Sequence, residues 1–90
     1  MPEDLNAQFE QAIKDVTALS QAPDNDVMLK LYGLYKQAIK GDCAGARPGM
    51  LDFVGRAKFD SWKAVEGATL DEAKQRYIDV VTDLVAKEKG

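Results

Sequence analysis

The stretch Asp26-Val27-Met28-Leu29-Lys30-Leu31-Tyr32-Gly33-Leu34-Tyr35-Lys36-Gln37-Ala38-Ile39-Lys40 decides the fold. Its apolar residues recur at steps of three and four, the period of a helix, and no strand-like alternation runs through it. At about 100° per residue, Val27, Met28, Leu29, Leu31, Tyr32, Leu34, Tyr35, Ala38 and Ile39 cover an arc of roughly 220°, where packing on one core needs roughly 100°. Leu31, Leu34 and Ala38 form one side. Met28, Tyr32, Tyr35 and Ile39 form another, with Lys36 and Lys40 at its edge. Such a helix is either buried on two sides, or it packs into the core with one side and lines a ligand site with the other. Gly33 sits mid-helix at a cost of about 1 kcal/mol relative to alanine. In return it leaves room for another backbone or a ligand to approach closely.

Working outward, Leu5, Phe9, Ala12, Ile13, Val16 and Leu19 repeat at helical spacing ahead of this stretch. Asp4 is placed to cap that first helix, and Glu3 and Asp4 suit the positive end of its dipole. Pro23 ends the segment and Asp24-Asn25 opens the next. Beyond Lys40, Gly41 is a helix C-cap and Pro48-Gly49 a turn signal. A third helix is expected from about Leu51 to Val65, with Phe59 and Trp62 in the core and Gly67 ending it. Thr69-Leu70-Asp71-Glu72 is a capping box, in which Thr69 and Glu72 satisfy each other's amides. Leu70, Ala73, Tyr77, Val80, Val81, Leu84 and Val85 then repeat to the C-terminal lysines. Four amphipathic helices in ninety residues predict an all-α bundle, one domain over residues 1–90.

The composition sets limits on function. Hydrophobic residues make up 46% of the chain and charged residues 30%, a globular balance that excludes disorder. The net charge is −3, which argues against a nucleic-acid partner. The single cysteine, Cys43, excludes an intramolecular disulfide and is expected to be an inert or incidentally exposed thiol. The acidic start has no signal-peptide character, and no run is long enough to span a membrane, so a cytoplasmic protein is expected. The chain has no histidine, and so lacks the commonest general base, metal ligand and activator of a nucleophile. Neither catalysis nor a metal site is expected.

The charge is unevenly placed. Between Lys30 and Lys63 stand seven basic and three acidic residues, a net of +4; the rest of the chain carries five basic and twelve acidic, a net of −7. A cationic middle on an anionic protein suggests a local anion site, although solvated faces give the same pattern. Tyr32, Tyr35 and Lys36 set two phenols and an ammonium on neighbouring helix positions, and Lys58, near Arg56, adds charge. Phenols offer stacking surface and a hydroxyl, and lysine a point charge for phosphate. Taken alone, the tyrosines, Tyr77 included, also read as core.

Four blocks change that balance: Met28-Leu29-Lys30-Leu31-Tyr32-Gly33-Leu34-Tyr35-Lys36-Gln37-Ala38, Gly41-Asp42, Arg47-Pro48-Gly49-Met50-Leu51-Asp52-Phe53, and Ala57-Lys58-Phe59-Asp60-Ser61-Trp62. Together they closely resemble the acyl-CoA-binding protein family, over nearly the whole chain. The resemblance implies an up-down-down-up four-helix bundle that binds medium- to long-chain acyl-CoA esters as an intracellular carrier and pool former. It implies a monomer with no cofactor beyond the acyl-CoA ligand. Tyr32, Tyr35, Lys36, Lys58 and Tyr77 fall on the family's ligand-contacting positions. In the family, the two lysines and the first tyrosine hold the 3′-phosphate, and adenine packs near the helix-two tyrosines. Phe9, Met28 and Leu29, with Gly33 nearby, are candidates for the groove that takes the acyl chain. Thr17 and Val54 stand where familiar members carry lysine, Ala44 replaces a loop asparagine, and Phe59 replaces a tryptophan. A weaker electrostatic grip is therefore expected. The alternative is a helical interaction module that takes an acidic partner peptide on the cationic, tyrosine-lined face.

Overall fold

Each helix begins where a short polar side chain captures first-turn amides. In the computed structural model, which describes residues 4–89, Asp4 accepts from the Ala7 amide at 2.8 Å and opens α1 (Leu5–Thr17). Glu3, expected beside that terminus, lies outside the described residues. Asp24 accepts from the Val27 amide at 3.0 Å and opens α2 (Asn25–Lys40), which Gly41 ends at φ 82°. Asp52 caps α3 (Phe53–Lys63) through the Gly55 amide at 2.9 Å. The capping box before α4 (Leu70–Lys89) is reciprocal: the Thr69 amide donates to Glu72 Oε1 at 2.9 Å, and the Glu72 amide donates to Thr69 Oγ1 at 3.0 Å.

α3 is shorter than the periodicity predicts, because Leu51 belongs to the preceding turn. The Asp52 amide donates to the Gly49 carbonyl at 3.0 Å, which closes that turn just before the cap. At the other end the Val65 and Glu66 amides bond three residues back, and the tightened turns run out at Gly67, with φ 92°.

The four helices form an all-α, up-down-down-up bundle with no strand among the described residues. α4 packs against both α1 and α2, while α3 packs against α2 alone; α1 and α2 have no direct backbone packing. The core holds Phe9 and Ala12 of α1, Leu31, Leu34 and Ala38 of α2, and Ala73, Tyr77 and Val81 of α4. α3 contributes no fully buried residue. Phe59 and Trp62 are half-buried rather than core, a correction that follows from α3 having only one helical neighbour.

Gln37 is wholly buried and ties the ends of three helices together. Its Nε2 donates to Asp42 Oδ1 and to the Ala68 carbonyl, both at 2.8 Å. The Gly67 amide donates to the same carboxylate oxygen at 2.9 Å. Trp62 Nε1 adds a bond to the Gly41 carbonyl at 2.8 Å. Cys43, the residue after Asp42, is buried, so of its two readings the exposed thiol does not hold.

Candidate functional site

The wide apolar arc of α2 is divided among three surroundings. Leu31, Leu34 and Ala38 face the core with α4. Gly33 is buried against α3, where a Cβ would overlap the carbonyl of Ser61. Gly33 therefore serves the approach of a second backbone, one of the two roles its size allows. Between these two sides lie Met28, Tyr32, Tyr35, Lys36 and Ile39, none of them fully buried.

Because α1 and α2 are separated and α4 lies across both, a trough opens between them. Toward one end is a cavity of about 530 Å³, lined by Phe9 and Ile13 of α1, Tyr35 and Ile39 of α2, and Leu70 and Lys74 of α4. Toward the other is a cavity of about 430 Å³, lined by Val16, Thr17, Pro23, Met28, Leu31 and Tyr77. Three rings stand between them. Phe9 meets Tyr77 edge-on at 5.1 Å and stacks with Tyr35 at 6.1 Å, and the two tyrosines are 6.5 Å apart. Burial, with the nearby Tyr35 phenol, raises Tyr77 above the ordinary phenol range. It stays a neutral hydroxyl at physiological pH.

Lysines gather beside the trough. The Lys36 ammonium lies 5.8 Å from the Tyr32 ring centre and the Lys58 ammonium 5.4 Å from the same ring. Lys36 is also 5.6 Å from the Trp62 ring. Lys36 reaches Tyr32 because the two are four residues apart on one helix. Lys58 reaches it because the contact at Gly33 brings α3 in close, and Ser61 is one turn beyond Lys58. Of the seven basic residues between Lys30 and Lys63, two are engaged elsewhere. Arg47 makes a two-pronged pair with Asp60, at 3.0 and 2.7 Å, which holds Asp60 below the usual carboxylate range. Lys63 pairs with Glu66 at 2.8 Å. Neither Lys36 nor Lys58 has a carboxylate within 4 Å among the described residues. Two ammonium groups without a carboxylate partner, flanking one phenol, make a clamp whose charge and donors suit a phosphate-like anion.

The residues singled out from the sequence thus fall into three groups. Tyr32, Lys36 and Lys58 converge on the clamp. Phe9, Tyr35, Tyr77 and Met28 belong to the trough, with Phe9 and Tyr77 as its buried floor and Met28 on its wall. Leu29, four residues before Gly33, is half-buried toward the α3 side of the helix. Sequence reasoning placed Trp62 in the core and missed it beside Lys36; the signal was its position four residues after Lys58. Ile13 and Val16 were read only as helix periodicity, yet they wall the trough, as does Ile39 from the second side of α2. Thr17, whose hydroxyl donates to the Lys14 carbonyl at 2.8 Å, lines the smaller cavity. Val54 is exposed on the first turn of α3.

Comparison with known proteins agrees with this arrangement. The family model described as "Acyl CoA binding protein" matches residues 6–81. The chain is 46% identical to the acyl-CoA-binding protein of Brassica napus over 84 residues, which cover 93% of this chain and 91% of that one. It is 45% identical to enoyl-CoA delta isomerase 2 of Rattus norvegicus over 82 residues, covering 91% of this chain; it spans only 21% of that protein. The crystal structure of Oryza sativa acyl-CoA-binding protein 2 superposes with a TM-score of 0.91 at 38% identity, covering 96% of each chain. On the match across its length, the clamp beside an apolar trough and the shared bundle, the chain belongs to the acyl-CoA-binding protein family.

Proposed function

We propose that the protein is a non-catalytic carrier of medium- to long-chain acyl-CoA esters. The observation that carries this reading is the pair of unpaired ammonium groups flanking Tyr32 at the edge of an apolar trough. One ligand with a phosphorylated nucleotide head and an apolar tail accounts for both. Lys36, Lys58 and the Tyr32 hydroxyl hold the 3′-phosphate, and Tyr35 offers its ring to adenine. The tail runs along the trough past Met28, over the floor of Phe9 and Tyr77. The names of the relatives support the ligand class.

Binding and shielding need no bond chemistry, and the chain has no histidine to drive thioester cleavage. The isomerase relatives extend far beyond the stretch they share with this chain. We read residues 1–90 as a single acyl-CoA-binding domain, acting in the cytoplasm as a monomer without a cofactor. No described helix is long and apolar enough to cross a membrane.

Titration calorimetry with palmitoyl-CoA, CoA and palmitate tests the reading. Palmitoyl-CoA should bind far more tightly than either part. Equal affinity for palmitate and its CoA ester rejects the two-part site. Native mass spectrometry of freshly expressed protein separates it from the peptide-binding alternative, since a carrier should co-purify with CoA thioesters.

A further inference from the structure

The segment between the caps of α1 and α2, Leu19-Ser20-Gln21-Ala22-Pro23, stands between two cavities. Ala22 and Pro23 line the cavity of about 430 Å³ that also takes in Met28. The same two residues line a further cavity of about 480 Å³, with Leu19, Leu84, Lys87 and Glu88 around it. Leu19 and Leu84, both half-buried, give that further cavity an apolar side, and Lys87 and Glu88 give it a polar one. The trough is thus continued beyond a partition made of Ala22 and Pro23.

We propose that Ala22 and Pro23 are the stop that sets the longest acyl chain the protein encloses, and that Glu88 is a positioning residue that holds this stop through Ser20. The inference rests on the carrier reading, in which the tail runs past Met28 and so meets the partition. The partition has a stiff backbone. Proline fixes its own φ and keeps the residue before it extended, so Ala22 and Pro23 have little freedom of their own. Asp24 fixes the far end of the segment by capping α2. The near end is tied at Ser20, whose amide donates to Glu88 Oε1 at 2.6 Å, across 68 positions of the chain. Lys87 is drawn to Asp83 at 3.1 Å, and Glu88 makes no ion pair among the described residues. A tail that ends before the partition gains about fourfold in affinity for each methylene it buries. A longer tail meets the partition and gains nothing more, unless the segment shifts and joins the two cavities.

The test is titration calorimetry of the full chain with saturated acyl-CoA esters from octanoyl to docosanoyl, with free CoA as the baseline. Wild-type affinity should climb with length and then level off. Ala22→Leu thickens the partition, so its plateau should come about two carbons or more earlier, with octanoyl-CoA bound within about twofold of wild type. Glu88→Ala frees the segment, so its plateau should come about two carbons or more later, and the longest esters should bind up to about fifteenfold more tightly than to wild type. Glu88→Gln keeps an acceptor for the Ser20 amide and should level off where wild type does. Three results would overturn the proposal: a plateau at one length in all four proteins, a loss uniform across lengths in Ala22→Leu and Glu88→Ala, or a plateau displaced equally in Glu88→Gln and Glu88→Ala. The second would make the segment a support of the bundle, and the third would remove the tether. The carrier reading fails separately. A wild-type chain that binds no acyl ester more tightly than CoA would sink that reading and the stop with it, whereas a length-dependent wild type with unmoved plateaus would sink the stop alone.

Discussion

The backbone carbonyl of Ser61 on α3 occupies the space that a side chain on Gly33 of α2 would fill. A contact this close, in a helix interior where glycine costs stability, sets the distance between the two helices. It also sets the reach of Lys58, one turn before Ser61, to the ring of Tyr32.

Gly33→Ala separates two opposed effects. Helix propensity alone would stabilise α2 by about 1 kcal/mol. The obstructing atom is backbone, so α3 must move, and overpacking of this kind costs about 1–3 kcal/mol. The expected result is a net loss in urea unfolding, with weakened palmitoyl-CoA binding measured under folded conditions. A more stable variant with unchanged affinity would mean that α3 does not rest on Gly33.

Phe9 and Met28 were grouped as groove candidates, but burial separates them. Phe9 is in the core and touches both Tyr35 and Tyr77, so Phe9→Ala should cost about 3–5 kcal/mol of stability. Met28 is half exposed, so Met28→Ala should change stability by about 0.5 kcal/mol or less. It should instead weaken palmitoyl-CoA binding while leaving free CoA unaffected. Equal unfolding midpoints for the two variants, or a matching loss for CoA, would contradict this assignment.

Asp42 makes stability depend on pH. The Gly67 amide and then the Gln37 amide hold its carboxyl below the ordinary value of 3.8. A carboxyl whose folded value is depressed contributes stability that is present above its unfolded value and is lost as pH falls through the folded one. Asp42→Asn keeps an acceptor and removes the charge. Its melting temperature should fall below wild type near about pH 7, and the gap should narrow near about pH 3. A gap that is constant with pH would show that the charge of Asp42 contributes nothing.

The features legible in the sequence were local ones. Asp24, Gly41 and the Thr69/Glu72 pair act on amides three or four residues away, so their roles can be read along the chain. The wide arc of α2 announced more than one surrounding. It did not say which side would meet α3, because that depends on where Ser61 comes to rest, far along the sequence. Trp62 and Phe59 looked like core because large aromatics usually are. Their half-burial follows from α3 having one neighbour, which periodicity does not encode. The gap between α1 and α2 was equally hidden, and with it the roles of Ile13 and Val16. Of the two readings of Cys43, inert or exposed, the exposed one failed because loop residues are usually exposed, while this one follows Asp42 of the knot that Gln37 ties.

The clamp gives the sharpest prediction. A charge-assisted hydrogen bond contributes about 1.5–3 kcal/mol, so Lys36→Ala or Lys58→Ala should weaken palmitoyl-CoA binding by roughly tenfold to a hundredfold. A simple loss of affinity is ambiguous, because a loosened bundle would also bind less well. The comparison that resolves it uses palmitoyl-CoA and its analogue without the 3′-phosphate. Wild type should discriminate strongly between the two, and the Lys36→Ala/Lys58→Ala double variant should scarcely discriminate at all. A merely destabilised bundle would lose affinity for both ligands and keep their ratio. Thr17→Lys and Val54→Lys probe the same electrostatics in the opposite direction. Thr17 lines the cavity that contains Met28, and Val54 lies one turn before Lys58 on α3. A lysine at either should tighten binding and steepen its salt dependence, because exposed charges are screened by ions. Full discrimination retained by the double variant would place the phosphate away from Tyr32, and the head group would then have to be sought elsewhere along the trough.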